Sequence, residues 1–189
     1  MRVARRIAVG LAGMIVIGAA TWLAVARSSV SDNGPLGESA TIVDTSVCML
    51  DADGLDWWYS GDSLRNRSSS TVTLDRIDLV EPVNIEFVEA FVYPIGRDGA
   101  DFVALGPSAA DGAPTGADAE PGVSSWAQRT DFAGARITQA EELGFVLHLR
   151  SKTTDISSLE SLVIHYESNG DDYILRTNTR MKVQRTPCF

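Results

Sequence analysis

LVIHYESNGDDYILRTNTRM, running from Leu162 to Met181, reads as a β-hairpin. Asn169-Gly170 supplies the two positive φ values that a type I′ turn requires, and apolar residues alternate with polar ones on both sides of it. Because side chains repeat every two residues along a strand, the turn fixes the register. Tyr166 is expected to face Tyr173 and Ile164 to face Leu175, with His165 and Arg176 pointing away from that face.

The same period of two extends upstream. Trp57, Tyr59 and Leu64 begin a strand region that ends in the polar run Asn66 to Ser70, and Val72, Leu74, Ile77 and Leu79 resume the pattern. This reads as a second hairpin with a polar loop. Asn66-Arg67-Ser68 fits a glycosylation sequon but is read here as a turn. Val83 to Ile95 alternates in part, with Ile85, Phe87, Glu89, Phe91 and Tyr93 on one side; the Glu there suggests an edge or a bend, and Pro94 stops the ladder. Phe145, Leu147 and Leu149 alternate with Val146, His148 and Arg150, a half-buried strand with His148 on its more polar face. Helical periodicity is not sustained anywhere in this part of the chain; Glu141-Glu142-Leu143 could form a single turn. Roughly seven to nine short strands in about 140 residues imply an all-β domain, an immunoglobulin-like β-sandwich, with a closed barrel as the structural rival. Gly106 to Gly122 (GPSAADGAPTGADAEPG) has almost no bulky residue and is expected to be a disordered loop.

The N-terminus reads differently. Residues 1–6 carry Arg2, Arg5 and Arg6, and Ile7 to Ala26 (IAVGLAGMIVIGAATWLAVA) is twenty residues without a charge. At 1.5 Å per residue that length matches the roughly 30 Å core of a bilayer. The expected arrangement is one N-terminal transmembrane helix acting as a signal-anchor, its N-terminus cytoplasmic under the positive-inside rule. Ala24-Val25-Ala26 also fits a cleavage site, and a cut after Ala26 would release the domain as a secreted protein. Residues 27–40, rich in Ser, Gly, Asp and Pro, read as a flexible linker, leaving 41–189 as the extracytoplasmic sandwich.

The chain holds two cysteines, Cys48 and Cys188, near the two ends of that domain. In an exported protein such a pair is most simply one disulfide, and a loop of this length would stabilise the fold by up to about 5 kcal/mol. The whole chain has a net charge of −9, and setting aside Arg2, Arg5 and Arg6 leaves the remainder near −12. A domain this acidic is repelled by phosphate backbones, which argues against nucleic acid as a partner.

Residues with catalytic chemistry are sparse. The sequence has no nucleophile elbow, P-loop, HExxH or dinucleotide fingerprint, so neither an enzyme nor a cofactor is expected. Asp51, Asp53 and Asp56 surround Gly54 and form a calcium candidate, but the order departs from the calcium-loop pattern and Asp62 falls where a bidentate Glu belongs. Trp57, Trp58 and Trp126 are candidate sugar-stacking residues; alternation puts Trp57 with Tyr59 on one face and Trp58 on the other, so at least one of them belongs to the core.

SLRNRSSSTVTLDRIDLVEP (Ser63 to Pro82), LGFVLHLRS (Leu143 to Ser151) and YILRTNTRMKV (Tyr173 to Val183) together resemble small, uncharacterised membrane-anchored proteins of high-G+C Gram-positive bacteria. The basic residues fit that resemblance, being nearly all Arg, with Lys at 152 and 182 alone. It lends a fold and a location but no activity. The expected function is a non-catalytic interaction or scaffold module held at the membrane by Ile7 to Ala26, its partner an envelope protein. A cell-wall glycan-binding module is the alternative, and an unrecognised envelope enzyme the third.

Overall fold

The computed structural model describes residues 31–38, 45–50, 56–95, 105–107, 128–153 and 155–184. They form thirteen strands: β1 (Leu36–Glu38), β2 (Thr45–Leu50), β3 (Asp56–Asn66), β4 (Val72–Val80), β5 (Ile85–Pro94), β6 (Leu105–Pro107), β7 (Thr130–Asp131), β8 (Arg136–Ile137), β9 (Glu142–Ser151), β10 (Ser157–Leu159), β11 (Ser161–Ser168), β12 (Asp171–Arg176) and β13 (Thr179–Gln184). One layer runs β1-β3-β9-β5-β7, with β6 also paired to β3. The other combines the order β12-β11-β4-β8 with β10-β13-β2.

Those last two groups share one bent hairpin. β10 is separated from β11 by one residue and β12 from β13 by two. At the bend Leu162 N–H donates to Thr177 Oγ1 (3.1 Å) and Thr177 N–H returns to Leu162 O (2.9 Å). Buried side chains of both layers meet between them: Trp57, Tyr59, Leu143, Phe145, Leu147 and Leu149 from one, Val72, Leu74, Leu162, Ile164, Met181 and Val183 from the other. The domain is an all-β two-sheet sandwich.

Local chemistry carried through as read at the Leu162–Met181 hairpin. Asn169 and Gly170 have φ of 56° and 83°, and Tyr166 pairs with Tyr173 and Ile164 with Leu175. The two tyrosine rings stack at 5.5 Å.

The polar run after β3 does not close a hairpin. β3 pairs with β1, β6 and β9, whereas β4 pairs with β11 and β8, so Asn66–Ser70 arches from one layer to the other. Asn66 sets the arch: its Oδ1 accepts from Ser68 N–H, and its Nδ2 donates to Ser70 O and Ile137 O. The asparagine is buried as part of the turn's hydrogen-bond network.

The single face expected for Ile85 to Tyr93 is also corrected. A bulge between Phe87 and Glu89 adds one residue and reverses the alternation. Ile85, Ala90 and Val92 enter the main core, while Tyr93 joins Trp58 and Val146 on the opposite side of the sheet. Similar slips occur in β3 between Ser60 and Ser63 and opposite His165/Tyr166 in the β4–β11 ladder.

The linker expected over residues 27–40 is in part a strap. Leu36 is buried and pairs with Asn66, and Ser31 bridges to Tyr173 on the opposite layer. Between them Gly34 lies so close to the Tyr166 and Tyr173 rings that a Cβ there would stand 2.7 Å from Tyr173 Cδ1. A polar segment orders here because the sandwich supplies the apolar contacts it lacks. Leu36 N–H donates to the Tyr166 hydroxyl at 3.3 Å. Burial, partly offset by that bond, raises the Tyr166 pKa above its ordinary 10.0.

A raised folded-state value stabilises the fold below the unfolded pKa, and the contribution is lost as pH climbs through the folded one. Urea midpoints are therefore expected to fall as pH rises above about 10 in the wild type and to fall less in Tyr166→Phe. Near neutral pH that variant costs about 1 kcal/mol for the lost bond.

Ile7 to Ala26 lies outside the described residues; among those described, no helix is long and apolar enough to cross a membrane. Of the loop expected over 106–122, Gly106 and Pro107 belong to β6, and the rest also lies outside.

Candidate functional site

The outer face of β5, β9 and β3 gathers most of the domain's described polar chemistry, because antiparallel register sets residues of the three strands in rungs. Glu86, Arg150 and Asp56 form the first; Glu89, His148 and Trp58 the second; Phe91, Val146 and Ser60 the third; Tyr93, Gly144 and Ser63 the fourth.

In the first rung Arg150 Nε donates to Asp56 Oδ1 at 2.8 Å and Nη1 to Glu86 Oε1 at 3.5 Å. The bond and charge of Asp56 hold the guanidinium pKa above its usual value. In the second rung His148 is buried, its ring stacked on Trp58 at 4.4 Å and 13°. Nδ1 lies 3.1 Å from Glu89 Oε1. Nε2 lies 3.3 Å from Asp56 Oδ1 but makes no aligned hydrogen bond. Both imidazole nitrogens thus face carboxylates. In the fourth rung the Tyr93 ring crosses β9 over Gly144 to place its hydroxyl 2.7 Å from Ser60 Oγ. The Ser60 and Tyr93 hydroxyls bond each other. Arg150 and His148 are held between the carboxylates of Asp56, Glu86 and Glu89, which outnumber them.

The residues singled out in the sequence are dispersed by the fold. Trp57 points into the main core and Trp58 against His148, at 3% and 2% exposure, so neither offers a ring to solvent. Trp126 lies outside the described residues, as do Asp51 and Asp53. Asp56 is engaged by Arg150, and among the described residues no group of three His, Cys, Asp or Glu is placed to hold a metal ion. Cys48 lies half-buried in β2, opposite Lys182 of β13, and is not a free thiol. Cys188 lies outside the described residues, four positions beyond the end of β13.

His148 was read as a residue of the polar face; it does lie on the outer face, but buried. Alternation assigns a face, not what packs on it.

Three apolar side chains missed by the sequence reading are the exposed large hydrophobics among the described residues: Val83 (52%), Ile156 (51%) and Phe87 (38%). Val83 exchanges backbone hydrogen bonds with Ser158 at 2.8 and 3.0 Å, and Asn84 Nδ2 donates to Ile156 O at 3.1 Å, which sets Val83 and Ile156 at one end of the sandwich. Phe87 follows on β5. The available signal was Ile156 standing alone in the polar run Lys152–Ser158, and Val83 directly after Pro82.

On the second layer, β4, β11 and β12 border a pocket of about 540 Å³ that includes Arg76, His165, Tyr166 and Tyr173. Two of its polar groups are paired: Arg76 bonds Asp75 at 2.7 Å, and His165 Nε2 lies 2.7 Å from Asp78 Oδ2. Exposed pairs of this kind add roughly 0–1 kcal/mol each.

No protein-family model matches the chain, and no curated protein matches it. Among solved structures, the VesB protease of Vibrio cholerae aligns over 80% of this chain and 32% of its own, with 6% identity and a TM-score of 0.38. The chain thus spans about a third of that protease. A PapD-like (ASH) domain of human CEP192 aligns over 82% of this chain and 87% of its own, with 8% identity and a TM-score of 0.39. Likenesses this loose carry no activity across. The architecture stands on the strand order itself: a two-layer β-sandwich with a carboxylate-rich outer face and an apolar end.

Proposed function

We propose that this chain is a non-catalytic interaction module of the cell envelope, an immunoglobulin-like sandwich held at the membrane by Ile7 to Ala26, as in the high-G+C Gram-positive proteins it resembles. The observation that carries the reading is the apolar end. Val83 and Ile156 stay about half exposed, whereas the other described large apolar side chains, Phe87 apart, are buried or half-buried, and exposed apolar surface is how soluble domains present a binding site. The outer face supports the same reading, since its Glu86 and Glu89 carboxylates stay about half exposed beside Arg150 and His148.

The test is capture of the full-length protein from mildly cross-linked native membranes, beside the double variant Val83→Asp/Ile156→Asp. One envelope protein recovered with the wild type and lost with the variant is the expected result. Equal recovery by both, or wall polysaccharide alone, would overturn the reading.

The module is also proposed to carry a Cys48–Cys188 disulfide. β2 and β13 run parallel side by side, so the bridge would fasten the last strand to an early one. Intact mass is expected about two daltons below the fully reduced value, and Cys48→Ser is expected to cost about 2–5 kcal/mol. A full-length monomer with two alkylatable thiols under non-reducing conditions would contradict it.

A further inference from the structure

Deepening the interaction reading and resting on it, we propose that the partner docks by adding an extended strand to the free edge of β5 at Ile85–Glu89, and that this strand alternates apolar with basic residues.

β5 pairs with β9 along its length, but on its other side β7 covers only Phe91 and Val92, and Phe132 N–H reaches Ala90 O. From Ile85 to Glu89 no described strand pairs with β5 on that side. A strand edge presents a row of unpaired N–H and C=O groups, the template on which a peptide adds by main-chain hydrogen bonds, side-chain alternation giving specificity.

The alternation here is specific. Phe87 pairs with Leu149 and so lies on the core side, where it stands 38% exposed at the margin. Glu86 and Glu89 pair with Arg150 and His148 and lie on the outer face, their side chains 43% and 47% exposed. A carboxylate accepts several hydrogen bonds, and Glu86 has one long bond at 3.5 Å, so both acids retain capacity. An added strand would therefore turn apolar residues toward Phe87, continuing the Val83 and Ile156 surface, and basic residues beside Glu86 and Glu89. The charge of the domain, near −12, draws in such a segment. Other edges are less suited: the outer edge of β4 carries Asp75, Arg76 and Asp78 within four residues, and that of β12 already takes the Ser31 bridge. The bulge between Phe87 and Glu89 shifts the register of the ladder, so the added strand is short, a few residues centred on Glu86 and Phe87.

The test uses the full-length protein in detergent and three synthetic heptapeptides: alternating lysine and valine, alternating glutamate and valine, and the lysine–valine sequence N-methylated at every second residue. Amide hydrogen exchange at Ile85–Glu89 is the readout. The lysine–valine peptide is expected to slow it about tenfold at saturation, while the other two leave it unchanged. Glu86→Gln should weaken the protection, and added salt should do the same. Equal protection by the glutamate and lysine peptides, protection confined to other strands, or protection that grows with protein concentration without peptide would each overturn the proposal, the last in favour of self-pairing. If these amides do not respond while Val83→Asp/Ile156→Asp still abolishes capture of the native partner, strand addition falls and the interaction reading survives.

Discussion

Phe145→Ala is expected to lower the unfolding free energy by about 3–5 kcal/mol, the range for an aromatic side chain removed from a core that cannot collapse around the loss. Phe145 is fully buried at the centre of β9, the strand that pairs with both β3 and β5, and its ring meets Phe132 edge-on at 6.4 Å. Relaxation is restricted because Leu147 and Leu143 beside it and Ile164 and Leu162 in the facing layer are themselves buried. Chemical denaturation at neutral pH would show a lower midpoint with an unchanged slope. For a domain near 150 residues the thermal midpoint should fall by roughly 2–4 °C per kcal/mol. A loss below about 1 kcal/mol would mean that this position is not at the centre of the sandwich.

Gly144→Val is expected to cost about 3 kcal/mol by the opposite route, overfilling. A Cβ at Gly144 would stand 2.3 Å from Cζ of Tyr93, a contact real structures do not tolerate, so the ring must leave. Tyr93 cannot leave cheaply, since it is buried and its hydroxyl lies 2.7 Å from that of Ser60, which is buried too. Displacement combines overpacking, typically 1–3 kcal/mol, with loss of the hydroxyl–hydroxyl bond, about 1 kcal/mol. Gly134→Ala is the control. Gly134, unlike Gly144, has a positive φ, 83°, and nothing lies within 4 Å of its missing Cβ, so that change should cost only about 1 kcal/mol of backbone strain. Comparable losses at the two glycines would show that the tyrosine does not cross the sheet at Gly144.

The parts of the fold legible in the sequence are those that local chemistry fixes. Asn169-Gly170 sets two backbone angles and hence a register, and Tyr166 meets Tyr173 for that reason alone. Asn66–Ser70 was legible as a turn but not as an arch, because a polar loop carries the same residues whether the chain returns in its own sheet or crosses to the other. The bulge after Phe87 was legible only in part: Glu89 among apolar residues signalled an edge or a bend, but nothing showed that one extra residue reverses every later side chain. Leu36 became a strand residue only because Asn66 and Tyr166 were waiting for it, a tertiary effect that composition cannot report. At the candidate site, alternation separated Trp57 from Trp58 correctly, yet the burial of Trp58 and His148 depends on strands β3, β5 and β9 meeting in one order. The apolar end was invisible because Val83 and Ile156 are 73 positions apart in the chain. The structure brings them together through Asn84, whose φ of 53° carries the chain from one layer to the other.

The central claim, that this sandwich works by binding through its apolar end, is tested most directly by a photo-reactive phenylalanine analogue placed at Phe87 of the full-length protein in native membranes. The same analogue at Arg76, exposed on the other layer, serves as the reference position. One discrete cross-linked species at Phe87 and none at Arg76 is the predicted result. A species formed equally at both positions, or at Arg76 alone, would contradict the claim.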